Sequence, residues 1–490
     1  MPLSLTNSTM AYKPHQTSKS NSCHSIRSTT ILTSFLFITS FLLFLLHPSH
    51  RLSESPFKED QSHFSGDLRK AQFAWNKLCF GPISDKLKLA VFSKKWPIGA
   101  APGGMERHAS TLYTELAARG HEVHVFTVPS DRQARPNLIQ GNLHVHFAPN
   151  DAGSLNFSLA FEAFRRENAV APFDYVHTES VSLPHWRAKM VPNVAVTWHG
   201  IWYEIMHSNL FQSLLWEPNG PSGPNPTLQE AMPRLLDEIR FFSSYTQHIC
   251  ISDSASDILV NIYQLPPNNV HTILNGVDQT RFIHDPRSGE LFREKHGVPA
   301  NVSLVMGVAG RLVRDKGHPL LYKAFASMRG RHPGVLLLVA GSGPWARRYE
   351  ELQPNVKVVG ALGPSELAEF YNAVDVFVNP TMRPQGLDLT LMEAMHCGKA
   401  VVTTNFPSIR GTVVVNEGLG YVFSPNVRSL TEALERAIRD GPVVLRKKGM
   451  ACKERALSLF TANKMASAYE RFFLCMKKDE YCQYPLPTDC

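Results

Sequence analysis

Three short stretches of this chain hold the residue types that bind and move phosphate groups. The first is Ala101-Pro102-Gly103-Gly104-Met105-Glu106, where two consecutive glycines behind an apolar run let backbone N–H groups approach an anion with no Cβ in the way. A helix starting there would aim the positive end of its dipole at the same place. The second is Gly310-Arg311-Leu312-Val313-Arg314-Asp315-Lys316-Gly317, directly behind the apolar residues 304–309. Arg311 offers directional hydrogen bonds and Lys316 a point charge, which together can hold a diphosphate and stabilise it as it leaves. The third runs from Asn379-Pro380 through Gln385-Gly386 to Leu389, Thr390 and Glu393. A helix beginning near Leu389 leaves its first amides open for phosphate, and Glu393, a turn further on, can accept bonds from the vicinal hydroxyls of a ribose. Taken singly, each stretch has a plainer reading: a tight turn, a solvated basic loop, a first-turn carboxylate favoured by the helix dipole.

The elements that must position these residues alternate between strand and helix. Residues 87–93 read as a buried strand, a Gly/Pro loop and a helix through Glu106 to Leu112 follow, and residues 122–127 form the next strand after Gly120. Further apolar runs at 143–147, 175–178, 194–197, 249–252 and 270–274 complete a first domain over residues 86–285. Turn-forming residues mark a linker at 286–301, and the alternation restarts at 304–309, 335–340, 356–359, 374–378, 400–403 and 420–423, a second domain over 302–460. Continuous apolar strands separated by helices specify parallel sheets covered on both faces. The expected class is therefore α/β, with two facing, doubly wound, Rossmann-like domains. Residues 461–490 form a tail in which Met465, Ala468, Tyr469, Phe472 and Phe473 have helical spacing, so a returning helix should pack on the domains.

The N-terminus carries an address. Residues 29–46 are eighteen in a row without a charge, near the lower limit for a membrane-spanning helix, behind a basic, acid-free tail at 1–28. Lysine and arginine on that side predict a cytosolic tail, a type II signal anchor at 29–46, a stem over 47–85 and a lumenal remainder. The short span suits the Golgi membrane; a plastid transit peptide is the competing reading. The formal net charge is +8, and Lys13, Lys19, Arg27 and Arg51 precede the first acidic residue, Glu54. That mild excess, with no basic run or stacking pattern, argues against a nucleic-acid partner. The eight cysteines define no zinc signature; Cys79 falls in the expected stem, and one pair among Cys475, Cys482 and Cys490 is as open as unpaired thiols.

The short stretches belong to an ordered set that also includes Trp198-His199-Gly200, Asn275-Gly276-Val277-Asp278, Ala340-Gly341-Ser342-Gly343-Pro344, Asp375-Val376-Phe377-Val378-Asn379-Pro380 and Leu391-Met392-Glu393-Ala394-Met395. In that order and spacing, over residues 86–460, the chain resembles glycosyltransferase family 4, retaining enzymes of the GT-B fold. The resemblance implies transfer of a sugar from a nucleotide diphosphate sugar, a UDP-sugar foremost, with retention at the anomeric carbon and with no metal or other cofactor. It implies that Gly103 and Gly104 contact donor phosphate and that His199 lies beside the transferred sugar. Arg311 and Lys316 would grip the diphosphate, Leu389 and Thr390 would sit at the phosphate-facing helix start, and Glu393 would hold the ribose. The front-face mechanism of such enzymes needs electrostatic support for the leaving diphosphate and no carboxylate nucleophile.

Two positions depart from the family pattern. Gln385 stands where a glutamate is expected, and Leu387-Asp388 where Phe-Gly is usual. Gln385 keeps open a different class of protein, a non-catalytic binder of sugar nucleotides. A nicotinamide-dependent oxidoreductase is disfavoured, because neither half has the three-glycine fingerprint. The Pro/Gly-rich segment 216–226, in the acceptor-side domain, leaves the acceptor open among glycan, lipid and small molecule.

Overall fold

The computed structural model describes residues 64–98, 102–216 and 226–490. The expected tail and anchor lie outside the described residues, as does most of segment 216–226. Among the described residues no helix is long and apolar enough to cross a membrane.

After a two-residue strand β1 (Gly66–Asp67), the first sheet is built from β2 (Lys88–Phe92), β3 (Glu122–Thr127), β4 (Leu138–Gln140), β5 (Leu143–Phe147), β6 (Tyr175–Glu179), β7 (Val194–Trp198), β8 (Gln247–Cys250) and β9 (Val270–Thr272). Its order is β4-β5-β3-β2-β6-β7-β8-β9, parallel except for β4, a largely exposed edge strand that pairs antiparallel with β5. The second sheet uses β10 (Leu304–Ala309), β11 (Val335–Ala340), β12 (Val356–Gly360), β13 (Val376–Asn379), β14 (Ala400–Thr404) and β15 (Gly420–Phe423). It is wholly parallel in the order β12-β11-β10-β13-β14-β15, the doubly wound arrangement whose switch point opens a crevice beyond β10 and β13. Every residue of β11 and of β14 is buried, which is why these strands read as unbroken apolar runs. β13 begins later than its apolar run because the Asp375 carboxylate accepts from the Val305 amide at 2.7 Å and from Arg293 at 2.9 Å.

Three helices set the rest. Helix α1 (Gly104–Ala118) buries His108, Leu112, Tyr113 and Leu116 at helical spacing against the first sheet. A long helix (Val427–Leu459) covers the second sheet and is interrupted at Gly441, φ 68°, followed by Pro442. The last helix (Ala462–Lys477) returns to the first domain, where Met465, Tyr469, Phe472 and Phe473 join the core beneath α1.

The expected stem is corrected over residues 64–85, which belong to the folded body. Trp75 is fully buried and meets Phe472 and His271 at ring distances of 6.1 and 5.4 Å. Asn76 bonds the Leu274 and Leu459 carbonyls at 3.1 and 3.3 Å and accepts from the Leu274 amide at 2.7 Å, joining segments far apart in sequence. Cys79 is disulfide-bonded to Cys490, and β1 pairs with the final strand β16 (Gln483–Tyr484). A second disulfide joins Cys475 to Cys482, while Cys250, Cys397 and Cys452 are free and buried. These ties are all long-range, so the segment shows no period of its own.

Candidate active site

Gly103 is the N-cap of α1. A Cβ there would meet the Glu106 carboxylate at 2.5 Å, whereas one on Gly104 would meet nothing within 4 Å, so Gly104 is the glycine that faces open space. Behind β10, Arg311 is exposed and makes no ion pair among the described residues. Gly317 (φ 77°) closes this loop: its ideal Cβ would fall 1.7 Å from the Pro380 carbonyl oxygen, an approach that only glycine tolerates. That contact presses the Arg311–Lys316 loop against the segment leading into helix α2 (Leu389–His396).

Lys316 is not a free cation. Its ammonium is ion-paired with Asp388, the N-cap residue of α2. Burial pushes the Asp388 carboxyl up, but Lys316, Arg383 and Asn379 together outweigh it and the net shift is downward. Glu393, on the same helix, is 2 % exposed and already has partners from both domains: Arg107 of α1 at 2.7 Å and the Tyr371 hydroxyl at 2.8 Å. Leu389 is buried and Thr390 half-buried at the start of α2. Gln385 is buried as well, its side-chain oxygen without a hydrogen-bond partner among the described residues, while its backbone oxygen accepts from Ser252 at 2.7 Å.

A second interdomain ion pair joins Arg383 to Glu204 at 2.8 Å. Glu204 is buried, which raises its pKa against the pull of Arg383, and its other oxygen has no partner among the described residues. A Cβ on Gly200 would lie 2.5 Å from the Arg383 guanidinium, which sets this pair beside His199-Gly200.

His199, at the end of β7, is bonded through Nε2 to Glu179 at the end of β6. Glu179 also accepts from the Tyr113 hydroxyl, which in turn meets His177 Nδ1 at 2.7 Å. The chain continues from His177 to Thr197 at 2.9 Å and from Thr197 to Tyr469 of the returning helix at 2.8 Å. Burial pushes the Glu179 carboxyl up, yet His108, His199 and His177 around it and the bond with His199 prevail and hold it down at about 2. His108, its ring 4.6 Å from that of His199, is pushed down to about 3 by burial. Glu179 and His108 escaped the sequence reading; the signal was His177 and Glu179 in a short strand between apolar strands, where burial demands partners.

Ligand atoms of His108, Glu179 and His199 lie within 4.8 Å of one another and have the chemistry of a metal site, but the carboxylate is already satisfied by His199 and Tyr113. Glu122, His124 and His144 also cluster; there the two imidazoles stack at 7°, so their in-plane lone pairs run parallel instead of converging.

Two cavities flank these groups. One of about 940 Å³ is lined from the first domain by Pro102 and Arg107 and from the second by Gly363, Leu389 and Glu393. The other, about 530 Å³, lies in the first domain among Met105, Trp198, Gly200, Ile201, Trp202 and Phe241, with Lys94 and Glu238 as charged lining. Burial pushes the Glu238 carboxyl up to about 7, against bonds from Tyr263 and the Trp202 amide.

Residues 102–281 match the family described as Glycosyltransferase Family 4, and residues 290–457 match Glycosyl transferases group 1. Among curated proteins, a D-inositol 3-phosphate glycosyltransferase of Saccharomonospora viridis is 29% identical over 328 residues, covering 61% of this chain and 73% of that one. Among solved structures, sucrose-phosphate synthase from Thermosynechococcus elongatus superposes with a TM-score of 0.64 at 21% identity, over 80% of this chain and 99% of that one. Anabaena HepE, solved in complex with UDP and glucose, superposes with a TM-score of 0.59 at 18% identity, over 79% and 99%.

Proposed function

This chain is a GT-B glycosyltransferase of the group 1, family 4-like kind, and we propose that it moves a sugar from a nucleotide diphosphate sugar, UDP-linked first, with retention and without a metal. The observation that carries the donor reading is the large cavity walled by Arg107, Leu389 and Glu393, at the head of α2 and beside the glycine that faces open space. Helix-head amides supply a fixed positive field, and the exposed Arg311 guanidinium a further positive charge, on which a departing diphosphate depends. HepE, of the same fold, is a UDP and glucose complex, which supports the choice of base. Glu393 reaches a ribose by exchanging its Arg107 or Tyr371 bond for sugar hydroxyls. His199, its ring oriented by Glu179, lies on the acceptor side of the cleft, and the neighbouring cavity beside Gly200 is the place for the acceptor. A screen of sugar nucleotides for nucleoside diphosphate release tests this; no release from any of them, with acceptors present, would refute it.

A second reading, a binder without turnover, draws on Gln385, whose amide cannot offer negative charge to an electron-poor anomeric carbon. Turnover that appears only in Gln385→Glu would favour it, whereas turnover in the natural chain removes it.

We further propose a type II Golgi protein with its catalytic domains in the lumen. The two disulfides, Cys79–Cys490 and Cys475–Cys482, support an oxidising compartment. Resistance to carbonate extraction and protection of a C-terminal tag from protease in sealed vesicles are the expected results; plastid import with loss of the N-terminus would overturn the assignment.

A further inference from the structure

Asp388 is placed oddly for an N-cap. An aspartate at that position ordinarily turns its carboxylate onto the second or third amide of its own helix. Here it makes no such bond. One carboxylate oxygen takes the Lys316 ammonium, and the other accepts from Asn379 Nδ2 at 3.4 Å. Both side chains are largely shielded, Lys316 at 20% exposure and Asp388 at 16%. The head of α2 is thus left uncapped by Asp388, while the nearest lysine is neutralised by the chain itself. Arg383 is likewise engaged, by Glu204 at 2.8 Å and by Asp315 at 4.0 Å. Arg311 is exposed and makes no ion pair among the described residues.

An anion arriving at the head of α2 therefore meets a carboxylate already bound to the ammonium it needs. We propose that Asp388 is a resident competitor for the donor's diphosphate, and so a residue that sets donor affinity and charge preference; this rests on the donor reading above. Lys316 and Asp388 cancel, so the loop offers an arriving anion one positive charge fewer than its own residues carry. A diphosphate loses more from that cancellation than a phosphate monoester does, because more of its charge lies within reach of Lys316.

The test measures binding of UDP, ADP, GDP and UMP to the full-length chain by calorimetry, in the natural protein and in Asp388→Asn, Asp388→Gly, Lys316→Met and the double variant Asp388→Asn/Lys316→Met. The carboxamide keeps shape and removes charge, while the glycine removes the side chain. Both Asp388 variants should bind the preferred nucleoside diphosphate roughly tenfold tighter or more, with a smaller gain for UMP, and Lys316→Met should cancel the gain. Unchanged or weaker diphosphate binding in both Asp388 variants would overturn the proposal and make Asp388 a residue that holds Lys316 in place. Loss of all nucleotide binding in the natural chain and in every variant would refute the donor reading and the proposal together.

Discussion

Replacing Arg107 with methionine should cost the protein about 3 kcal/mol of stability, although the residue sits on the wall of an open cavity. Glu393 is 2 % exposed and depends on Arg107 at 2.7 Å and on the Tyr371 hydroxyl at 2.8 Å. Removing one member of a buried ion pair strands the other charge, a penalty of about 3–5 kcal/mol. Arg107 itself is 17% exposed, so water reaches the vacated side and the lower end applies. Neutralising the stranded group as well, in Arg107→Met/Glu393→Gln, should recover about half of the loss, since a buried neutral amide costs only about 1–3 kcal/mol when underbonded. Urea unfolding of the natural chain, both single variants and the double variant gives the coupling directly. Additive losses in the double variant, or a loss below about 0.5 kcal/mol in Arg107→Met, would show that the pair does not hold the two domains together across the cleft.

Other outcomes follow from the same geometry. Arg311→Ala removes an exposed cation, so it should leave folding intact and reduce donor turnover roughly ten- to a hundredfold, the value of a charge-assisted bond to the leaving group; normal kinetics would exclude Arg311 from the site. Cys79→Ser should lower stability by about 2–5 kcal/mol by releasing the segment that carries Trp75, read as a fall in the unfolding midpoint; an unchanged midpoint would mean that packing alone retains it. His271 is buried and pushed down to about 3 by burial, so the folded state keeps it neutral while the unfolded chain protonates it near pH 6.5. Its contribution is complete above pH 6.5 and is lost as the pH falls below that value, so the stability gap between the natural chain and His271→Gln should shrink between pH 7 and 5; a gap that widens would contradict the neutral assignment.

The sheets were legible because parallel strands covered on both faces leave no room for alternation, as in residues 304–309 and 335–340, and because Gly310 follows the end of β10 while Gly104 and Gly317 sit where a turn meets a helix. What could not be read were pairings between segments distant in sequence. Lys316 looked like a free phosphate ligand because nothing local reveals that Asp388, 72 residues away, neutralises it. Glu393 looked open to a ribose for the same reason, its partner Arg107 lying in the other domain. Residues 64–85 looked like a stem because their order comes from Asn76, Trp75 and Cys79 reaching segments near Leu274 and Cys490. β4 was missed because its three edge residues, two of them exposed, bury too little to impose a pattern.

Retaining transfer from a nucleotide diphosphate sugar would show itself in the proton NMR signal of the anomeric centre. The full-length protein is incubated with UDP-α-glucose and other common sugar nucleotides and a panel of hydroxyl acceptors, and the anomeric proton of the first-formed product is followed. At least one donor should be consumed, with release of its nucleoside diphosphate and a product that has the donor's own anomeric configuration. A first-formed product of inverted configuration, or no consumption of any donor by a folded protein, would contradict retaining transfer.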